Sequence, residues 1–496
     1  MQTTPPIREP SLKVFHVLSP VLCAFAAVAL AFACVRSPEE SLAITNVTVI
    51  DVTGGAPRSG QTVVVAGERI LAVGDTAALS LPRGTKVVDE AGTFLMPGLV
   101  DMHVHLTAAG EPDGSRRFMV PLLLANGITT VRDMGGYLES LVPLREEIKK
   151  RKRLGPAIFF AGPYLDGSPP SFEPSLVVTD RVQASEDVHQ LVERGVDFIK
   201  VQSMLGRDAY FAIAEAARRE KIPFVGHVPD RVTAAQAADA GQYSIEHLTN
   251  VLRGCSSDEA RLMREQFHVP PRKETAAEAH ERVVRWQREL LESYSAAAAD
   301  ALVRKFAEKN LWQTPTLVLL KHDAFPTTDV GRAEAERYVP KATRQVWEKG
   351  RERQMRFVTP AESDLRAQLL KKSESLVSEM QKSGVHILAG TDSPAPDVVP
   401  GDSLHQELAL LVEAGLEPKE ALRAATSAPA EFLGIGRDAG TVAAGKYADL
   451  VLLDSNPLEE IGNTRRIRAV MVRGQMLERG DLDKMLAEEL AFAFAP

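Results

Sequence analysis

Cysteine is scarce: three in 496 residues, too few for a disulfide framework. Cys23 and Cys34 fall in or at the end of an N-terminal apolar stretch, which leaves Cys255 alone in the body of the chain. A domain of this size buries enough apolar surface to fold without covalent staples. Excess positive charge is also missing, since the formal net charge is −8. The one basic run, Lys149-Lys150-Arg151-Lys152-Arg153, sits between a helical pattern and a strand and reads as a solvated helix end. That balance argues against a polyanion-binding protein and predicts no nucleic-acid partner. No repeat of twenty to fifty residues is present, and the only low-complexity tract is the alanine-rich 295–300. Histidine is sparse as well, eleven in all, so an ordered set of them carries information.

The N-terminus departs from the rest of the chain. Arg8 and Lys13 precede an uncharged stretch, 17–34, that ends Ala31-Phe32-Ala33-Cys34, which is a signal-peptide pattern. It predicts an exported protein, periplasmic or attached to a membrane. Two endings fit: cleavage after Ala33, with or without a lipid on Cys34, or an uncleaved anchor. The stretch is short against the ~20 residues that span a bilayer, which favours cleavage. The boundary at Cys34 resembles a bacterial lipoprotein signal, from which Phe32 and Ala31 depart. Residues 1–34 are thus read as the leader and 35–41 as a linker.

Residues 42–96 read as strands and turns, with β-rich runs at 43–50, 62–65 and 70–73. Residues 437–480 supply more, at 448–453 and 467–472. Each flank is too small to stand alone, so the two are expected to pair into one β-sandwich domain. Between them, runs of strand length alternate with helical patterns at 98–106, 127–134, 157–165, 196–202, 222–229, 243–248, 314–320 and 385–392. Eight such runs over 97–436 predict an α/β fold, a (β/α)8 TIM barrel, with helical insertions at about 256–310 and 322–383. Residues 481–496 are read as a C-terminal helix that packs on the body or supplies a contact in a homo-oligomer.

Candidate chemistry lies at the ends of these runs. His103 and His105 are two apart on a strand, so both imidazoles project to one side and can grip one metal ion. Lys200 ends the fourth run, His227 lies in the fifth, His247 ends the sixth and Asp392 ends the eighth. In a parallel barrel, groups at the carboxyl ends of strands share one mouth. Any one of these histidines alone would read as a hydrogen-bonded structural residue. Six such groups together are costly unless something pairs with them, and a metal centre is the simplest partner. Lys200 cannot ligate as an ammonium, but a buried lysine near cations loses its proton, and the amine can take up carbon dioxide. The resulting carbamate has two oxygens and can bridge two ions.

With Pro97-Gly98-Leu99-Val100-Asp101-Met102-His103-Val104-His105, the chain carries Asp197-Phe198-Ile199-Lys200, Ser244-Ile245-Glu246-His247, Gly390-Thr391-Asp392 and Gly445-Lys446-Tyr447-Ala448-Asp449-Leu450 in order. In that set it resembles the amidohydrolase superfamily, specifically the imidazolonepropionase-like and Xaa-Pro dipeptidase-like branch with binuclear centres. The resemblance covers 42–477. It implies two divalent ions, zinc being expected, with His103, His105 and Asp392 on one, His227 and His247 on the other, and carboxylated Lys200 between them. It further implies a metal-bridging hydroxide, with Asp392 as general acid and base, cleaving a C–N amide bond of a small molecule such as a dipeptide or N-acyl amino acid. Two alternatives stand beside it. One is a cyclic amidase, lactonase or esterase on the same centre; the other is a non-catalytic, surface-anchored binding protein. After the fifth run the chain reads Gly226-His227-Val228-Pro229-Asp230-Arg231, without the tyrosine or other polar residue of the dipeptidase-like pattern. Tyr164 and Arg231 are therefore the candidates for a substrate carboxylate or oxyanion, with packing as the alternative for each. His405 and Glu407 are expected to support the site or cap a helix, and Arg132 and Asp133 to form an ion pair beside it.

Overall fold

The computed structural model describes residues 41–107, 114–266, 274–326 and 331–493. The leader and Cys34 lie outside the described residues. The two flanks of the chain meet in one sheet. Its order is Gln475–Glu478, Ile467–Val472, Leu450–Leu453, Phe94–Pro97, Ser41–Val49, Arg58–Ala66 and Arg69–Asp75, with Lys86–Asp89 beside Ser41–Val49. The seam is antiparallel, Leu450 opposite Pro97 and Leu453 opposite Phe94. Alternation decides what each face covers. Leu95, Leu450, Leu452 and Met471 join a small core with Ile44, Val63 and Val65. Met96, Val451 and Val470 point the other way, into the main core.

Gly127 shows how close that packing is. It has φ 75°, and a Cβ there would lie 2.9 Å from Val451 Cγ2. Glycine permits both the turn after the helix Gly114–Ala125 and the contact.

The rest is mixed α/β with parallel pairing. Leu99–Val104, Ile128–Asp133 and Ala157–Phe160 form one parallel sheet. Tyr164–Asp166, Ile199–Val201, Phe224–Gly226, Ser244–Glu246 and Trp312–Thr314 form a second, with Ser175–Val177 on its edge. Helices lie between most successive strands; the expected run 157–165 is instead split into Ala157–Phe160 and Tyr164–Asp166, in different sheets, with Ser175–Val177 following and no helix between them. The expected eighth strand, 385–392, is not one: it makes isolated parallel bridges, Gln313 to Ile387 and Val104 to Ser393. Leu388 N donates to Gln313 O and Met102 N to Ala389 O, so the segment is tied on both sides. At the other gap Asp197 N donates to Phe160 O over 2.9 Å. The described strands thus form two parallel sheets rather than one closed sheet, bridged on one side by several backbone bonds through 385–393 and at the other gap by the Asp197 bond.

The expected strand 314–320 is corrected too. Strand ends at Thr314, and Leu317–Ala324 is helix. A short apolar run such as Leu317 to Leu320 fits a buried helix as well as a buried strand. Four strands went unpredicted, Lys86–Asp89, Phe94–Pro97, Ser175–Val177 and Gln475–Glu478; the second of these runs almost directly into Leu99–Val104. The helix-rich stretches contain Ala276–Glu292, Lys341–Met355 and Pro360–Lys382. Thr275 starts the first of these by reciprocal bonds, its hydroxyl accepting from Glu278 N while the Glu278 carboxylate accepts from Thr275 N.

Candidate metal centre

The strand Leu99–Val104 is irregular where it matters. Val100 and Met102 join the inner core cluster, whereas Val104 and Leu106 join the outer one. The pairing register shifts between Asp101 and Val104, which inverts the alternation and puts His103 and His105 on the inner side. Asp101 holds the irregular turn of chain. One of its oxygens accepts from His103 N and Thr391 N, each 3.1 Å away, and the other from Thr391 Oγ1 at 2.7 Å. Asp392 is thereby fixed beside the two histidines.

His103 Nε2 lies 3.0 Å, and His105 Nε2 2.9 Å, from the same oxygen, Asp392 Oδ1. His103 Nδ1 is 2.9 Å from a Glu246 oxygen, and His105 Nδ1 is 3.0 Å from the Gly135 carbonyl oxygen. Both partners are acceptors, the Glu246 carboxylate being held ionised by Arg132 and His103 against its burial. Each Nδ1 therefore carries the hydrogen, and in the neutral rings each Nε2 offers a lone pair. With both rings neutral, as ligands must be, two lone pairs face one anionic oxygen. Without an ion, burial pushes the His105 pKa down, but its hydrogen bond to Asp392 outweighs this and raises it. His103 Nε2 also lacks a hydrogen-bond partner, because its short approach to Asp392 is out of line for an N–H···O bond. The three donor atoms lie within 4.8 Å of one another, and a divalent cation among them fits this chemistry.

The other two imidazoles adjoin. His247 lies tilted at 48° to His103, 4.5 Å between ring centroids, and meets His227 edge-on at 5.1 Å. His247 Nδ1 contacts Thr316 Oγ1 at 2.7 Å, and His227 Nδ1 contacts Ser203 Oγ at 2.8 Å. Burial pushes His247 down to about 3 and, together with the Lys200 charge, His227 well below the ordinary range. Both rings are neutral and able to ligate. His247 and Asp392 have φ of 58° and 65°, a left-handed backbone that costs a non-glycine residue of order 1–3 kcal/mol and clusters at functional positions.

Lys200 is buried on Ile199–Val201, opposite Val225, with its stem packed over Gly226, where a Cβ would meet it at 2.9 Å. Burial pushes its amine down to about 8 against the pull of Glu246 and Asp392. Asp392 itself is held well below the usual carboxylate range: burial opposes this, and His103 and His247 outweigh it.

Tyr164 reaches the cluster from behind His105, its Oη 3.1 Å from Nδ1, the nitrogen turned away from Asp392. Arg231 is exposed on the turn before the helix Ala234–Ala240 and is not part of the buried group. The expected pairing of Arg132 with Asp133 is corrected. Arg132 Nη2 donates to Glu246 at 2.8 Å, whereas Asp133 accepts from Leu106 N and Gly135 N. Neighbours on a strand point to opposite faces, so they cannot pair. Glu407 accepts from Val318 N at 2.7 Å and so caps the start of the helix that follows Thr316. His405, inside Asp402–Glu413, contacts Thr464 Oγ1 through Nδ1 and lies outside the cluster. Sequence reasoning missed Glu246, Ser203 and Thr316 as partners of the histidines. A charge in the buried run Ser244-Ile245-Glu246 was the available signal.

A curated relative, Deacetylase Atu3266 of Agrobacterium fabrum (strain C58 / ATCC 33970), is 33% identical over 127 residues, 24% of this chain and 30% of the relative. The chain thus aligns with under a third of that protein's length. Among solved structures, a bottromycin amidohydrolase matches with TM-score 0.71 and 23% identity over 96% of this chain and 94% of the other. A Xaa-Pro dipeptidase with bound methionine in its active site matches with TM-score 0.61 and 20% identity, over 88% of this chain and 100% of the other. Residues 94–477, which hold every group of the cluster, match the amidohydrolase family as a whole, and the chain belongs to that family.

Proposed function

We propose that the chain is a metal-dependent hydrolase that cleaves a C–N amide bond of a small molecule, a dipeptide or an N-acyl amino acid. One observation carries this reading: two ring nitrogens with fixed tautomers face a single oxygen of Asp392. In it, residues 97–436 form a (β/α)8 barrel whose eighth strand is reduced to bridges, and 42–96 with 437–480 form the β-sandwich domain. His103, His105 and Asp392 would hold one divalent ion, His227 and His247 a second, and carboxylated Lys200 both; imidazole and carboxylate donors suit zinc. Such ions, when bound, polarise a substrate carbonyl and lower the pKa of water.

The chain's own groups do the rest. Asp392 Oδ2 is left over after Oδ1 is shared by the two histidines, and it lies 4.0 Å from His247 Nε2. From there it takes a proton from the attacking water and returns it to the leaving nitrogen. Glu246 and the Gly135 carbonyl keep the His103 and His105 hydrogens on Nδ1. Tyr164, behind His105, holds that ring in place. The names of the deacetylase relative and the dipeptidase neighbour support an acyl–nitrogen bond as the target.

The test is a screen of metal-loaded chain against dipeptides and N-acyl amino acids. Turnover abolished by chelation supports the reading. Turnover only of lactones, esters or cyclic amides would redirect it, and metal binding with no turnover of any would leave a binding protein.

A further inference from the structure

The basic run Lys149 to Arg153 plays no part in that chemistry. It follows the helix Leu138–Lys149 and precedes Ala157–Phe160, so it lies at the amino ends of the parallel strands, opposite the histidines. Two adjoining cavities open there, of about 500 and 340 Å³, sharing Ile148, Arg151, Gly155, Val472 and Arg473. Between them they are lined by the cations Arg145, Lys149, Arg151, Lys152, Arg153 and Arg473. Only Glu68, Glu146 and Asp197 oppose these in the lining. Glu68 is engaged by Arg151 at 2.7 Å and Asp197 by Arg145 at 2.9 Å. Lys149 and Lys152 are exposed, and among the described residues their side chains make no ion pair or hydrogen bond. On a chain with net charge −8, this end stands out.

The chain also enters the fold here. Ser41 pairs with Ala66, Gly67 lines the smaller cavity, and Glu68 accepts from Arg151 Nε at 2.8 Å. Cys34 is seven residues before Ser41, and seven extended residues reach roughly 25 Å at most. A chain held at a membrane through 17–34 or Cys34 therefore keeps this end close to the lipid. An acidic body is repelled by an anionic leaflet, so the basic end is the one that faces it.

We infer that the surface around Lys149 and Lys152 docks on anionic phospholipid headgroups, with the histidine cluster turned away from the bilayer. The anchored reading of the leader favours this side as the one nearest the lipid, while the surface itself stands on its charges. It is tested by hydrogen exchange of the full chain on vesicles of phosphatidylcholine alone and of phosphatidylcholine with phosphatidylglycerol. Exchange at 145–153 and 472–475 is expected to slow on the anionic vesicles only. The slowing should vanish in raised salt and in the variant carrying Lys149→Glu and Lys152→Glu, with metal content unchanged. Equal exchange on both vesicles overturns the proposal. So does equal slowing by inorganic phosphate or polyphosphate without vesicles, which would mark a site for soluble anions. Retention on neutral vesicles in raised salt reports the anchor separately. Its loss, with protection on anionic vesicles intact, removes the anchor and keeps the surface.

Discussion

A carboxylate oxygen facing the lone pairs of two imidazole nitrogens is favourable only with positive charge among them. Asp392 Oδ1 is in that position, and the whole reading of the site grows from it. Replacing Asp392 by Asn keeps the shape and removes the proton carrier, so turnover should fall by about two to four orders of magnitude. Steady-state kinetics on the best substrate of the screen, beside an unchanged circular dichroism spectrum, checks this. Beneath the histidines, Arg132 and Glu246 are fully buried and paired. Arg132→Leu strands an ionised carboxylate in the core and should destabilise the protein by roughly 3–5 kcal/mol. A denaturant midpoint unchanged by Arg132→Leu would show that Glu246 finds another partner or a proton. Glu407 carries a pH signature: burial pushes it up to about 8 from 4.5. Its folded pKa lies above its unfolded one, so its contribution to stability is full below about pH 4.5 and is lost as pH rises through about 8. Asp101 and Asp133, raised by burial to about 7 and about 6, act in the same direction. The denaturant midpoint should decline across that window, and Glu407→Gln should make the decline shallower. An equal slope in the variant would remove Glu407 from the account.

At the scale of elements, the ends of strands were easier to read than their partners. The pattern at His103 and His105 requires only strand spacing, and Lys200, His227 and His247 each end or interrupt a short apolar run. The phase inversion after Met102 was not legible, because a register shift depends on the neighbouring strand. The partners Glu246, Ser203 and Thr316 come from segments that only the fold brings together. Arg132 and Asp133 were misread as a pair because adjacency in the chain is not adjacency across a sheet. The run 314–320 was misread because four apolar residues after Pro315 and Thr316 suit either a buried strand or a buried helix. That helix has a task of its own. Thr316 precedes it in a left-handed conformation, φ 47°, and presents its hydroxyl to His247. Thr316→Val removes the hydroxyl with little change in volume. Metal affinity should fall by about one to two orders of magnitude, the range seen when a ligand histidine loses its outer hydrogen bond. Titration with a competing chelator measures it, and an unchanged affinity would mean that packing alone orients His247.

For the whole molecule, the two chain ends close one sheet around the central region, as the β-rich flanks had indicated. Leu450–Leu453 lies between Phe94–Pro97 and Ile467–Val472, and Val451 packs at Gly127. A chain ending before Leu450 would leave Phe94–Pro97 as a bare edge directly ahead of the histidine-bearing strand. Such a truncation should aggregate rather than yield a folded core, as size-exclusion chromatography would show. The central claim concerns the six groups His103, His105, Lys200, His227, His247 and Asp392 and the ions they share. Its most direct test is the metal content of the purified full chain by inductively coupled plasma mass spectrometry, beside that of Lys200→Ala. The account predicts close to two divalent ions per chain, falling in the variant and restored by short carboxylates. A chain that takes up no divalent ion, or a variant that keeps both without carboxylate, would contradict it.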